Sequence, residues 1–209
     1  MGTNTSIDIA KTAVILIGYQ NDYFAEDGIL REVIEEPGRT QTVLSNTLSL
    51  IERLKSTAAH LIVTPIIFTP DYSELVDPVG ILKAIRDVGA FKGGEKGSQT
   101  VPELKAYGSR IVEVPGKRGL NAFSNTHLDA TLKEAGVTDI VLAGVVTSIC
   151  IDSTGRSAFE SGYTVRTLSD CTAGRTAVEQ SFYCENIFPL YAEVIDSEQF
   201  LTRAGIENG

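Results

Sequence analysis

Basic residues are the first shortage. Lys and Arg together number 18 against 27 Asp and Glu, a formal net charge of −9. A surface for nucleic acid or an anionic membrane needs clustered Lys and Arg, so both partner classes are set aside. Long apolar runs are missing too. None approaches the roughly 20 residues of a membrane span, and the opening MGTNTSIDIAK has no signal-peptide core. A cytoplasmic protein is expected. MGTNTS also fits a loose myristoylation pattern, short enough to be met by chance.

Cysteine and histidine are scarce. Cys150, Cys171 and Cys184 are an odd set that cannot all pair, and no C-x-x-C spacing occurs. That argues for free thiols in a reducing compartment rather than a disulfide scaffold or a redox dithiol. The two histidines, His60 and His127, are thin material for a Cys-His pair or a metal site. No Pro/Gly/Ser-rich linker, internal repeat or low-complexity tract divides the chain. At 209 residues and 43% hydrophobic it suits one core, and a single domain over 1–209 is expected.

What is present is a regular alternation. Apolar, β-branched runs recur at 13–18, 61–68, 110–114, 139–146, 163–168 and 192–196. Runs this continuous suit strands covered on both faces, as in a parallel sheet. Helical patterns separate them. In 40–59, Val43, Leu44, Leu48, Ile51 and Leu54 recur at three- and four-residue spacing, and 126–136 opens at Asn125 or Thr126 and stops at Gly136. Further helical stretches cover 150–161 and 175–190. Strands alternating with helices give an α/β domain. The long connection 69–109, with a short helical piece ILKAIRDVGAF, reads as a functional loop region.

In such sheets ligands sit beyond the carboxyl ends of the strands. After DIVLAGVV comes TSIC, which places Cys150 in or just before the first turn of a helix. Unpaired N–H groups and the helix dipole there favour a thiolate and can receive an oxyanion. Read on its own, a lone cysteine is more often a buried structural thiol, and Cys171 and Cys184 keep that reading. Lys117 follows RIVEV and projects toward the strand-end crevice; read alone it is a solvated loop lysine.

Three separated segments carry a resemblance. They are TAVILIGYQNDYF, KRGLNAFSNTHLDATLKEAGVTDIVLAGVVTSIC and GYTVRTLSDCTA. In this order they resemble the isochorismatase-like cysteine hydrolases, which include nicotinamidases and N-carbamoylsarcosine amidases. The family shows D-x-Q-N-D-F, then K-x-x-x-S-A-F-x-x-T-x-L, then G-V-x-T-x-x-C with a following T-x-x-x-A. The resemblance implies a three-layer α/β/α fold with a mainly parallel six-stranded sheet, order 3-2-1-4-5-6. It implies Cys150 as nucleophile, Lys117 as catalytic lysine and a cis peptide at Val145–Val146. The N–H groups of Val146 and Cys150 become the implied oxyanion hole. Tyr23, Phe123 and Tyr72 are candidates to line a pocket for a small amide, although Tyr23 and Phe123 read equally well as core. A homo-oligomer is implied by the same resemblance.

The chain departs from the family at one decisive place. Where D-x-Q-N-D-F begins with the acid–base aspartate, this sequence has Gly18. Asn121 also replaces the serine of S-A-F. Asp22 has a counterpart in ordinary members and reads as structural; Asp71, Glu74 or another carboxylate from 69–109 is a candidate substitute. Without a carboxylate, burial lowers the pKa of Lys117 and leaves it as the proton acceptor for Cys150. Metal-containing nicotinamidases carry an Asp-x-His pair where this chain reads Asp71-Tyr72-Ser73, so no metal and no cofactor are expected.

The reading is a hydrolase cleaving a non-peptide C–N bond of a small amide or carbamoyl compound through an acyl-enzyme on Cys150. One alternative is a pseudo-enzyme that binds a small molecule or serves as a scaffold. A lesser one is vinyl-ether hydrolysis of the isochorismatase type.

Overall fold

The computed structural model describes residues 6–206. All of MGTNTS but Ser6 therefore lies outside the described residues. Strands β1 (Thr12–Ile17), β2 (His60–Thr64), β3 (Ile111–Glu113), β4 (Asp139–Val145), β5 (Thr164–Ala173) and β6 (Glu193–Ile195) form one sheet. Their order is β3-β2-β1-β4-β5-β6 and every pairing is parallel, as expected. β1 is buried along its whole length because it is central: Ile15 lies between Ile62 of β2 and Leu142 of β4. The order reverses between β1 and β4, so a crevice opens beyond their carboxyl ends.

The helices are α1 (Asn21–Phe24), α2 (Arg39–Leu54), α3 (Gly80–Val88), α4 (Pro102–Lys105), α5 (Leu128–Glu134), α6 (Asp152–Glu160), α7 (Ala177–Phe182) and α8 (Ser197–Arg203). They complete a three-layer α/β/α arrangement. α2 buries Val43, Leu44, Leu50, Ile51 and Leu54 and packs on β4 and β5. Its apolar stripe at helical spacing is what seats it there. Among the described residues no helix is long and apolar enough to cross a membrane.

Element ends differ from the apolar runs for local reasons. β2 stops at Thr64 because Pro65 has no N–H to donate; beyond it only isolated bridges remain, Ile66 to Lys117 and Phe68 to Lys92. β5 runs past Leu168 to Ala173, through a register shift opposite Leu142 and Gly144. The polar Ser169-Asp170 pair at that shift hid the continuation. Arg39 Nη2 donates to the carbonyls of Ser169 (3.2 Å) and Thr172 (2.9 Å), and the Asp170 carboxylate accepts the Ser197 N–H at 2.9 Å. The 175–190 pattern breaks into α7, a π-helical turn at Tyr183–Ile187 and a 3-10 turn at Phe188–Leu190.

Candidate active site

The site begins where β1 ends. Gly18 has φ +78°, and its carbonyl accepts the Gln20 N–H at 2.7 Å. A Cβ on Gly18 would lie 2.7 Å from the Val145 carbonyl oxygen and 2.9 Å from Val145 Cγ2. The end of β4 thus fills the place from which a side chain would project. Glycine is required here on two counts, conformation and space.

At the end of β4 the Val145–Val146 peptide is cis. A π-helical turn, Thr147–Ile151, follows and runs into α6. Cys150 sits in that turn, just ahead of α6, and is 4% exposed. Lys117 arrives from the other side of the crevice, beyond β3, and is fully buried. Its Nζ lies 3.6 Å from Cys150 Sγ and donates to the Gly119 carbonyl at 2.5 Å. Among the described residues those are its hydrogen-bond partners, and neither is a carboxylate. Burial pushes the Lys117 amine below its ordinary range, opposed by the attraction of a Cys150 thiolate. The structure therefore brings Gly18, Lys117, Val145, Val146 and Cys150 to one place.

The expected pocket residues divide. Tyr23, in α1, is 3% exposed, and its ring is tilted against Phe91 at 5.4 Å. Burial raises its phenol, with smaller contributions in the same direction from the neighbouring Cys150 and Asp22. Phe123 is half-buried, with its ring 6.1 Å from Tyr163. Tyr72 belongs to the 69–109 connection. Its hydroxyl donates to the Ala90 carbonyl at 2.7 Å and its ring packs on Phe68 at 5.6 Å. No contact among the described residues ties Tyr72 to Cys150 or Lys117.

The substitute carboxylates are committed elsewhere. Asp71 accepts from Thr69 Oγ1 (2.8 Å) and the Ser73 N–H (3.2 Å). Glu74 accepts the Thr69 N–H at 2.8 Å and pairs with Arg118 at 3.2 Å. Asp22 is buried and accepts the Phe91 N–H at 2.6 Å. Its carboxyl is held above the usual range by burial, against the opposing Phe91 bond. The donor set does not fit a metal either. Asp71 faces its own turn, His127 precedes α5, His60 opens β2, and no three His, Cys, Asp or Glu side chains converge among the described residues.

Supporting contacts around the thiol were not read from the sequence. Asn121, the departure from S-A-F, accepts the Phe123 N–H at 2.9 Å and donates to Ser157 Oγ at 2.6 Å. Thr154 accepts the Ala122 N–H at 3.1 Å, so two residues of α6 hold the loop that bears Lys117. From α7, Gln180 accepts from Thr147 Oγ1 (2.6 Å) and Glu179 from Ser148 Oγ (2.5 Å), just upstream of Cys150. The T-x-x-E spacing of Thr176 and Glu179 marks that helix start, and the Thr176 side chain accepts the Glu179 N–H.

Comparison with known proteins gives a consistent picture. The isochorismatase domain family matches residues 12–199. A ureidoacrylate amidohydrolase, RutB, of Methylobacterium radiotolerans is 26% identical over 96% of this chain and 82% of its own. The crystal structure of an isochorismatase-like hydrolase from Alkaliphilus metalliredigens superposes with a TM-score of 0.76 at 28% identity, covering 92% of this chain and 98% of that one. A cysteine hydrolase from Pseudomonas syringae shares the fold at a TM-score of 0.83 and 22% identity, over 98% and 99% of the two chains. Sheet order, the motifs at three strand ends and the span of the match agree: this chain belongs to the isochorismatase family.

Proposed function

We propose that the protein is a cysteine hydrolase that cleaves a non-peptide C–N bond in a small amide or carbamoyl compound. The observation that carries this is the buried contact of Lys117 Nζ with Cys150 Sγ at 3.6 Å, made without a carboxylate among the partners of the lysine. The family, and a relative named as a ureidoacrylate amidohydrolase, support the reaction class.

In this reading the amine of Lys117, made less basic by burial, takes the thiol proton of Cys150. Sγ attacks the carbonyl carbon and its electron pair moves to oxygen, where the N–H groups of Val146 and Cys150 receive the charge. The oxyanion collapses, the C–N bond breaks, and Lys117 gives its proton to the leaving nitrogen. Water then attacks the thioester, passing a proton to Lys117, and the acid leaves as the thiol re-forms. A buried nucleophile admits a small substrate.

The test is ammonia release from a panel of small amides, ureas and nicotinamide. Cys150→Ala is expected to abolish turnover. Lys117→Ala is expected to lower kcat by about 10²- to 10⁴-fold, the usual worth of positioned acid–base help. Undiminished hydrolysis by Cys150→Ala would sink the proposal. The second reading, a binding pseudo-enzyme, draws on Gly18 and predicts ligand binding that is unchanged in Cys150→Ala, with no turnover in either protein.

A further inference from the structure

We infer that Gln20 is a positioning residue that sets Lys117 against Cys150; this rests on the cysteine–lysine reading above. The side chain is fully buried, and its carboxamide uses both donors and accepts once at its oxygen. Nε2 donates to the Ile66 carbonyl (2.7 Å) and to the Ser98 carbonyl (2.6 Å), while Oε1 accepts the Ile66 N–H at 2.8 Å. Both backbone groups of Ile66 are thus held by one amide side chain, much as a neighbouring strand would hold them.

The location explains the need. The regular ladder of β2 ends at Thr64, and Pro65 brings no donor. Ile66, just beyond, is the residue that forms a parallel bridge with Lys117. Lys117 therefore has its backbone registered on a segment that lies outside the regular strand and is fixed by Gln20. Gln20 itself is fixed by its own backbone, which donates to Gly18 at 2.7 Å and bridges Thr100. The chain of contacts runs from the end of β1, through one carboxamide, to the lysine on the far side of the crevice.

A lysine has four side-chain torsions and a long reach, so a small slip in its backbone register moves Nζ away from a sulfur 3.6 Å distant. Gly18 makes the register matter more, because no carboxylate among the partners of Lys117 draws the amine toward the thiol. Gln20 does not touch the reacting atoms. It acts through Ile66 and Lys117.

The test is a double-mutant cycle read by iodoacetamide alkylation of Cys150, with peptide mass spectrometry, from pH 6 to pH 10. The proteins are wild type, Gln20→Met, Lys117→Ala and the double variant. Gln20→Met is expected to slow alkylation at pH 7 by about five-fold or more and to move the rise in rate to higher pH, because interacting sites couple. In the Lys117→Ala background the same change is expected to have less than about a two-fold effect. Equal slowing in both backgrounds would mean general loosening and would overturn the inference. So would an unchanged profile in Gln20→Met. If Lys117→Ala alone leaves the profile unmoved, it is the cysteine–lysine reading that has failed. Gln20→Glu, which keeps the acceptor for Ile66 and loses both donors, is read the same way if Gln20→Met does not fold. If neither variant shows a native circular-dichroism spectrum, the role of Gln20 is global stability and the inference is wrong.

Discussion

Gly18 is held by its neighbours as much as by its own lack of a side chain. Adding a Cβ forces a φ of +78° on an L-residue and drives it against the Val145 carbonyl. The left-handed conformation alone costs about 1–2 kcal/mol, and the close contact adds to it. Gly18→Ala is therefore expected to lower Tm by roughly 4 °C or more in a chain of this size. Gly18→Asp, which supplies the aspartate that the family resemblance implies at this position, is expected to be destabilised as well and not to gain hydrolysis. A stable Gly18→Asp variant with raised turnover would show that the glycine is a simple loss.

Lys117 gives a pH signature at the same scale. Its folded pKa is depressed by burial, while in the unfolded chain it titrates near the free value of about 10.4. Between the two values the unfolded chain binds a proton that the folded one has released, so stability rises with pH across that window. Below it, burying the charge costs stability. Lys117→Met removes this cost, so its advantage in Tm over wild type is expected to shrink as pH climbs toward 10. A difference in Tm that stays flat with pH would argue against a depressed lysine.

At the scale of elements, the turn that carries Cys150 depends on α7. Gln180 accepts from Thr147 Oγ1 and from the Gly174 N–H (2.7 Å), and donates to Thr172 Oγ1 at 3.1 Å. Gln180→Leu removes the acceptor of Thr147 Oγ1 and of the Gly174 N–H, while Thr172 Oγ1 keeps its bond to the Leu168 carbonyl at 2.9 Å, and is expected to cost about 1–3 kcal/mol. The same substitution should slow Cys150 alkylation at pH 7, and an unchanged rate would mean that α7 does not hold the turn. Cys184 is no control here, because Gln180 Nε2 also donates to its Sγ at 3.4 Å.

These elements also show what was legible. Central strands such as β1 and β4 could be read from apolar runs because burial on both faces leaves no polar alternation. The apolar run of β5 is shorter than the strand because Ser169 and Asp170 interrupt it, and their partners Arg39 and Ser197 lie elsewhere in the sequence. α8 is short and announced mainly by its capping box, with Asp196 accepting the Gln199 N–H at 2.7 Å and Gln199 accepting the Asp196 N–H at 3.0 Å. The hydroxyl bond of Tyr72, a pocket candidate, to the Ala90 carbonyl depends on a loop path that no local pattern dictates.

For the molecule as a whole, the reversal of strand order does the assembling. It brings the segments after β1, β3 and β4 to one crevice, although Lys117 and Cys150 lie 33 residues apart in the chain and the end of β1 lies far upstream of both. Position along the sequence gave Cys150 and Lys117 as candidates, and the family resemblance raised them. Their distance, their shared burial and the bonds that engage Asp71 and Glu74 required the folded chain.

Competition among the three cysteines distinguishes Cys150, the proposed nucleophile, from the two structural thiols. Exposure alone ranks them otherwise: Cys150 is 4% exposed, Cys171 is fully buried and Cys184 is half-buried. Burial pushes the Cys171 thiol up to about 12 and the Cys184 thiol up to about 11. Brief treatment of the native protein with limiting iodoacetamide at pH 7, followed by peptide mass spectrometry, reads the order. Cys150 is expected to be alkylated first, at least about ten-fold faster than either other cysteine, because the Lys117 amine stands 3.6 Å from its sulfur to take the proton. Labelling of Cys184 ahead of Cys150, or of all three at one slow rate, would contradict it.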